Sequence, residues 1–270
     1  MNGAVETPAP QSALRLSRVL ARSVSEMWAL GRLLAPCRRG FRVLMYHAVG
    51  TQAAGDTLGI FSIDLDLFAA HMEALQVFPG ARVVGLDGEA RAEVRMPVAI
   101  SFDDGYRDNL EVAAPILQGL RFPFTVFVTT DYVRSGKAPF LNADALRRLA
   151  DVPGATIGAH GATHVPLTRC DDRTLREELI GSKQYLEDVI GRRVNALAYP
   201  HGAVDARVRD MAERAGFEVG ATSRFDINGE DRDPLLLART SILRTDDLRA
   251  FRQKLHGDWD WYRWRTKAAA

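Results

Sequence analysis

The amino-acid sequence predicts an α/β fold in which parallel strands and crossover helices make up most of a barrel. Short apolar runs typical of buried strands alternate with helical segments after Gly40, and about seven strand-then-helix units fit into the chain. Polar and ionisable residues follow four of these runs where the strand ends. The chain has 270 residues, of which 47% are hydrophobic and 26% charged, so it can bury a core without disulfides or a structural metal.

The individual elements follow from the spacing of the apolar residues. Strands are predicted at residues 42–46, 98–102, 124–129, 156–158, 194–198 and 217–222. Helices are predicted at residues 63–76, 109–120, 144–150, 174–190 and 205–215. The last two helices are each followed by a glycine, which is typical of a helix end. We therefore expect one barrel domain over residues 41–245.

The two ends of the chain are predicted to flank this barrel. Residues 1–40 are expected to form a tail and an amphipathic helix at about 12–34, and residues 246–270 a C-terminal helix and tail. The N-terminal helix can pack on the domain, which we favour, or contact an anionic membrane through a polar face that carries Arg15, Arg18, Arg22 and Arg32. The sequence lacks the pattern of a secretory signal and of a membrane span, so we expect a cytoplasmic protein with at most a peripheral membrane contact.

The charge balance and the cysteine count exclude several classes of protein. Lys and Arg number 35 and Asp and Glu 34, which gives a net charge of +1 and argues against nucleic-acid binding. The two cysteines, Cys37 and Cys170, form no Cys-x-x-Cys pair. A disulfide framework and a cysteine-based zinc site are therefore not expected.

Two adjacent carboxylates follow the strand predicted at 98–102. Asp103 and Asp104 come before Gly105, where the backbone can turn and bring both side chains into one cavity. The alternative is a plain turn, since Asp-Gly is common turn chemistry.

Two histidines lie four residues apart directly after the strand predicted at 156–158. Gly161 and Pro166 favour a loop that could bring His160 and His164 around a single ion. Two imidazoles and a carboxylate are a common ligand set for a divalent metal with open coordination positions. The alternative is a pair of capping or surface histidines.

Two further strand ends carry a histidine. Tyr199-Pro200-His201-Gly202 reads either as a packed turn or as a rigid turn that presents backbone N–H groups to a developing oxyanion. His47 ends the first strand, where it can be structural or functional.

These segments together resemble the polysaccharide deacetylases, carbohydrate esterase family four, whose catalytic unit is the NodB-homology domain. Residues 101–105 are similar to the first motif, Thr-Phe-Asp-Asp-Gly, and residues 160–164 to the second, His-(Ser/Thr)-x-x-His. Residues 198–202 are similar to a Tyr-Pro-Tyr-Gly variant of the third. The resemblance spans about residues 41–243 and implies a distorted (β/α) barrel of about seven or eight parallel strands.

The resemblance also implies a function and a role for each residue. The protein would be a metal-dependent deacetylase that hydrolyses N-acetyl or O-acetyl groups of a carbohydrate. Asp104, His160 and His164 would hold one divalent metal ion, often zinc. Asp103 would be the general base that deprotonates water, and the backbone N–H of His201 would help to stabilise the tetrahedral oxyanion.

The sequence departs from the family pattern in places, and two departures bear on catalysis. Ala198 stands where the third motif usually begins with an arginine that orients the base, and Arg239 could replace that arginine from a later strand. The usual late Leu-x-His motif of the general acid is absent. His47 is our preferred candidate for the acid, and His256, which precedes an apparent tail, is the weaker one.

Two other functions remain open from the sequence. A hydrolase of the same fold could act on a non-carbohydrate amide or imide, although such relatives often lack the complete metal set that is present here. A carbohydrate-binding protein with a decayed site is the other alternative, but a binder has no need of the base Asp103.

Overall fold

A computed structural model describes residues 21–27, 29, 40–87 and 94–266, and most of these residues form a parallel α/β barrel. The strands are β1 (Arg42–Tyr46), β2 (Ala48–Val49), β3 (Ser62–Ile63), β4 (Ala81–Val83), β5 (Met96–Phe102), β6 (Phe124–Val128), β7 (Ala155–Ala159), β8 (Ala196–Ala198), β9 (Val219–Ala221) and β10 (Thr240–Ser241). All six predicted strands are present. The sequence reading missed β2, β3, β4 and β10, which are two or three residues long and too short for a periodic signal.

The main sheet follows the order β10-β1-β5-β6-β7-β8-β9, with β4 paired to the first half of β5. Every strand pair in it is parallel. The segment before β10 connects the two ends of this path, because Leu237 donates a backbone hydrogen bond to Gly220 of β9 while Thr240 pairs with Leu44 of β1. The expected distorted barrel of parallel strands is thus confirmed.

Helices surround the sheet, and the longer ones bury apolar residues in the core. They are α1 (residues 21–27), α2 (Leu65–Gln76), α3 (Ala114–Gly119), α4 (Thr130–Ser135), α5 (Ala143–Ala150), α6 (Asp172–Arg176), α7 (Ser182–Ile190), α8 (Ala206–Arg214), α9 (Leu248–His256) and α10 (Arg263–Thr266). The predicted helix at 109–120 begins with a π turn at Asn109–Ala113, and the one at 174–190 contains a second at Glu177–Gly181. A π turn holds an extra residue, so the side chains after it are rotated relative to a regular α-helix.

The N-terminal helix packs against the C-terminal end of the chain. Part of the helix predicted at 12–34 lies outside the described residues, but 21–27 and 29 are helical. The buried Ser25 hydroxyl accepts a hydrogen bond of 2.9 Å from the Trp261 indole, and Arg22 pairs with Asp247 of the segment leading into α9. Among the described residues, no helix combines the length and apolar character that would let it cross a membrane.

Asp258, Asp260 and Trp261, which the sequence pattern assigns to a tail, are instead buried. The carboxylate of Asp260 accepts two hydrogen bonds from Arg42 of β1, at 3.0 and 3.2 Å, and both side chains are at most 4% exposed. The tail assignment is therefore wrong for these residues. Its error has a physical reason: the contact joins positions 218 residues apart, and local sequence pattern carries no trace of it.

Candidate active site

The carboxyl ends of the parallel strands open into a cavity of about 750 Å³. Its walls include every predicted site residue: His47, Asp103, Asp104, His160, His164, His201 and Arg239. The carboxyl ends of parallel barrel strands meet at the same face, so residues far apart in sequence converge there. The cavity therefore is the candidate active site.

The two adjacent carboxylates reach the same cavity because the chain turns sharply at Asp104. Successive side chains of a strand point to opposite faces, so an extended chain would separate them. Asp104 instead has a φ of 72° and Gly105 one of 80°, and the strand ends there. Left-handed backbone is uncommon outside glycine, and short polar side chains such as Asp adopt it more readily than most.

Three of the site residues share this uncommon backbone. Among the described residues, four non-glycine residues have positive φ, and they include Asp104, His164 and His201. Such conformations persist where the surrounding structure enforces them, and they are concentrated at functional sites.

Asp103 is held by Arg239 in a buried, bidentate ion pair. The Nη1 and Nη2 atoms of Arg239 donate to the two carboxylate oxygens at 2.6 and 2.8 Å. The Nε atom of Arg239 donates to the carbonyl of Thr222 at 2.8 Å, which fixes the plane of the guanidinium. Burial by itself would raise the pKa of Asp103, but the nearby positive charges and hydrogen bonds, foremost those of Arg239, together outweigh it and lower that pKa. The contact predicted for Arg239 is thus present, and it keeps Asp103 ionised.

Asp104, His160 and His164 form a compact cluster. The Oδ1 atom of Asp104 lies 3.2 Å from Nε2 of His164 and 3.5 Å from Nε2 of His160. One ligand atom from each residue lies within 4.8 Å of the others. Burial opposes ionisation of Asp104, but the neighbouring histidines hold its pKa well below the usual range.

The cluster fits a divalent metal ion. The Nδ1 atom of His160 donates to the carbonyl of Ala198 at 2.8 Å, so the lone pair of this imidazole is on Nε2, the atom that faces Asp104. Outer hydrogen bonds of this kind orient metal-binding histidines. Burial lowers the pKa of His160, which keeps it in the neutral, metal-binding form. The Oδ1 atom of Asp104 is buried and makes no hydrogen bond to the described residues, as expected of an oxygen that binds a cation.

His47 and His201 also line the cavity that contains this cluster. The His47 ring contacts that of Phe61 at a tilt of 45°, with centroids 4.6 Å apart, and its buried Nδ1 atom has no hydrogen-bond partner among the described residues. The His201 ring contacts that of His164, and its Nε2 atom lies 3.2 Å from the His164 carbonyl. His256, the weaker candidate for the acid, contacts Phe78 and does not line the cavity, which rules it out of the site.

Aromatic side chains form much of the remaining cavity wall. Phe61, Tyr106, Tyr132 and Tyr199 line it together with residues of loop 53–58. Tyr132 of α4 stacks on Phe140 with centroids 4.0 Å apart, and the Tyr106 hydroxyl accepts a hydrogen bond from the Ala54 backbone. Phe140 does not line the cavity itself but lies behind Tyr132.

Sequence reasoning missed the side chain that holds the loop between the two histidine ligands. The Glu178 carboxylate, buried in the second π turn, accepts hydrogen bonds from Ala162 and Thr163. A signal for it existed: Glu178 lies on the same helix face as the buried Leu175 and next to Leu179, where a charged residue needs a partner.

The fold and the cavity together define a parallel α/β barrel with a candidate active site at the carboxyl ends of its strands, and comparison with known proteins shows which family it resembles. Residues 91–220 match the family model described as polysaccharide deacetylase. YxkH of Bacillus subtilis (strain 168), whose polysaccharide deacetylase name is itself provisional, is 24% identical over 206 residues, which cover 74% of this chain and 70% of that protein. The family match covers a little less than half of the chain, and it confirms the resemblance to the polysaccharide deacetylases, a family of hydrolases that act on carbon–nitrogen bonds other than peptide bonds.

Solved structures share the fold. The deacetylase PplD of Streptococcus pyogenes, in complex with acetate, has a TM-score of 0.71 at 24% identity, over 81% of this chain and 99% of that one. A polysaccharide deacetylase of Bacillus cereus has a TM-score of 0.69 at 25% identity, over 81% of this chain and 69% of that one. The likeness extends over most of the described barrel.

Proposed function

We propose that this protein is a metal-dependent deacetylase that hydrolyses acetyl groups, foremost N-acetyl groups, of a carbohydrate. The observation that carries the proposal is the cluster of Asp104, His160 and His164 beside a carboxylate, Asp103, that is not part of it. Acetamides are poor electrophiles, and a divalent ion held by the cluster would polarise the acetyl carbonyl and make water more acidic. The sequence and the site favour zinc as that ion, since two imidazoles and a carboxylate are a common zinc ligand set.

Each of the other residues has a defined task in such a reaction. Asp103, ionised and oriented by Arg239, accepts a proton from the attacking water. The backbone N–H of His201 helps to stabilise the oxyanion that develops on the acetyl oxygen. His47 is the candidate for the group that returns a proton to the leaving nitrogen, because it lines the same cavity and no other described residue engages its Nδ1.

The cavity wall supports a sugar as the substrate. Ligand pockets usually have volumes of about 300–1,000 Å³, and a cavity of about 750 Å³ lies within that range. The apolar faces of pyranose rings pack well on aromatic side chains, while the hydroxyl groups need polar partners. Phe61 and Tyr132 supply such rings, and Asp56 and Ser241 supply polar groups.

Metal analysis and acetate release test the proposal together. We expect the purified protein to contain close to one zinc ion and to release acetate from defined N-acetylglucosamine oligomers. Removal of the ion by a chelator should abolish the activity, and added zinc should restore it. Cyclic imides and simple amides in the same panel test the alternative substrate class. A protein that binds no divalent ion, or that hydrolyses only non-carbohydrate amides, contradicts the proposal.

A further inference from the structure

The loop between the two histidine ligands is bound on both sides, and one of the two partners is a buried carboxylate. The backbone carbonyls of Gly161 and Ala162 accept hydrogen bonds from Thr130 and Asp131, at the start of α4, at 3.3 and 2.9 Å. The N–H groups of Ala162 and Thr163 donate to Oε2 of Glu178 at 2.7 and 3.1 Å. The backbone polar groups of loop 161–163 are thus hydrogen-bonded to two different helical segments, which leaves the loop little freedom to shift.

Glu178 is built for this contact. It is 3% exposed, and its second oxygen, Oε1, accepts a hydrogen bond of 2.6 Å from the Thr163 hydroxyl. Burying a carboxylate is unfavourable unless it is well hydrogen-bonded, and all three donors come from the loop. The side chain of Glu178 therefore stabilises the loop rather than the helix to which it belongs.

The close approach depends on a glycine. Gly161 has a φ of 69°, and a Cβ atom at this position would lie 2.9 Å from Oε2 of Glu178. A side chain at this position would therefore displace the Glu178 carboxylate from the loop. His164 follows with a φ of 65°, which turns its ring toward Asp104.

We propose that Glu178 is a positioning residue of the metal site, whose carboxylate fixes loop 161–163 so that His160 and His164 converge on one ion with Asp104. The inference rests on the proposed metal-dependent function. Outer hydrogen bonds that orient metal ligands contribute about 10–100-fold to metal affinity. The hydrogen bonds between Glu178 and the loop, more than the charge of its carboxylate, determine this contribution to metal affinity.

Two substitutions at this position separate the hydrogen bonds from the charge. Glu178→Met has similar size but accepts no hydrogen bond. Glu178→Gln keeps an amide oxygen for the two backbone donors, and its NH₂ group can donate to the Thr163 hydroxyl after that hydroxyl rotates. Glu177→Met is the matched control, because the neighbouring Glu177 is exposed and, within the part of the chain that the structure describes, its carboxylate pairs with Arg173 on the helix surface.

Zinc affinity and the visible spectrum of the cobalt-substituted protein provide readouts that do not depend on activity. We expect Glu178→Met to bind zinc about 10–100-fold more weakly than the unaltered protein and to alter the cobalt spectrum. Glu178→Gln should stay within about threefold and retain the spectrum, and Glu177→Met should bind like the unaltered protein. Zinc binding by Glu178→Met within about twofold of the control would overturn the inference.

Zinc binding by the unaltered protein and by variants of Thr163 shows whether a negative result comes from the metal site, from folding or from the role of Glu178. Absence of zinc binding by the unaltered protein would refute the metal-dependent function itself, rather than the role of Glu178. Should Glu178→Met fail to fold, Thr163→Val and Thr163→Ser replace it, since Thr163 is exposed and only the valine loses the hydroxyl that binds Oε1. Weaker zinc binding by Thr163→Val than by Thr163→Ser supports the inference, and equal binding overturns it.

Discussion

Replacing Asp103 by Asn separates the proposed general base from the metal ligands beside it. The two side chains have nearly the same shape, but the amide cannot take a proton from water at neutral pH. Asp103 contacts Arg239 rather than the metal cluster, so zinc affinity should change by no more than about threefold. We expect kcat for acetate release to fall by roughly 10²–10⁴, which is the usual contribution of general base catalysis.

The same substitution also has a stability effect that the structure makes calculable. Asn keeps one acceptor for Arg239 but turns an NH₂ group toward the other Nη atom, and it leaves a guanidinium that is 1% exposed without its counter-charge. Breaking a buried ion pair by removing one partner costs about 3–5 kcal/mol. Domains of this kind have about 5–15 kcal/mol of unfolding free energy, so the variant should still fold at 25 °C but with a clearly lower urea midpoint.

Three measurements on the same preparations decide whether this reasoning holds. They are urea unfolding of the chelator-treated protein, zinc content and steady-state acetate release, each for Asp103→Asn, Asp104→Asn and the double variant Asp103→Asn, Arg239→Met. Asp104→Asn should lose zinc affinity, and excess zinc should restore part of its activity. The double variant should recover part of the lost stability but none of the activity, because no buried charge is left unpaired. Near-normal turnover of Asp103→Asn, or loss of zinc by it while Asp104→Asn retains zinc, would refute the assignment.

Three further predictions address the metal cluster, the pH dependence of stability and the N-terminal helix. His160→Ala should abolish zinc binding and activity, and stoichiometric zinc in a His160→Ala, His164→Ala double variant would contradict the proposed site. Burial lowers the pKa of His71 to about 4 from an unfolded value of 6.5, so the unfolded chain takes up a proton at a higher pH than the folded protein does. The unfolding free energy should therefore fall by up to about 3 kcal/mol as the pH drops from 6.5 to 4. Urea titrations at several pH values should show a smaller dependence of the unfolding free energy on pH for His71→Phe. Ser25→Ala should lower the unfolding free energy by about 1–2 kcal/mol, because the Trp261 indole N–H loses its buried acceptor; an unchanged urea midpoint would show that α1 does not stabilise the barrel.

Much of the barrel could be predicted from the sequence because its central strands are buried on both faces. Strand β6 is apolar apart from Thr125 and buried throughout, and β1 and β5 are nearly so, and such runs are visible without any knowledge of their neighbours. The site followed from the same pattern, since polar residues at the ends of parallel strands must meet at one face.

The parts that escaped prediction depend on contacts that a local pattern does not contain. The pairing of β10 with β1 joins residues about 200 positions apart over two residue pairs, and the Arg42–Asp260 ion pair is equally remote. The role of Glu178 was not predicted for a different reason: the sequence places Glu178 in the helix predicted at 174–190, where a glutamate is usually a solvated surface residue. Only the loop that it binds shows why a carboxylate stands on the buried face.

The position of Arg239 shows that a guanidinium can reach the carboxylate of the proposed base, Asp103, from more than one position in the sequence. Ala198 occupies the place where the related motif usually has its arginine, and there its carbonyl binds Nδ1 of His160. Arg239 reaches Asp103 from the other side, because it precedes β10, which pairs with β1, which in turn pairs with β5. Since a planar, always-charged guanidinium can bind both carboxylate oxygens from either direction, an arginine at position 239 preserves the ionised state and the orientation of Asp103. Closure of the barrel through the segment before β10 is therefore a condition for the proposed catalysis as well as for stability.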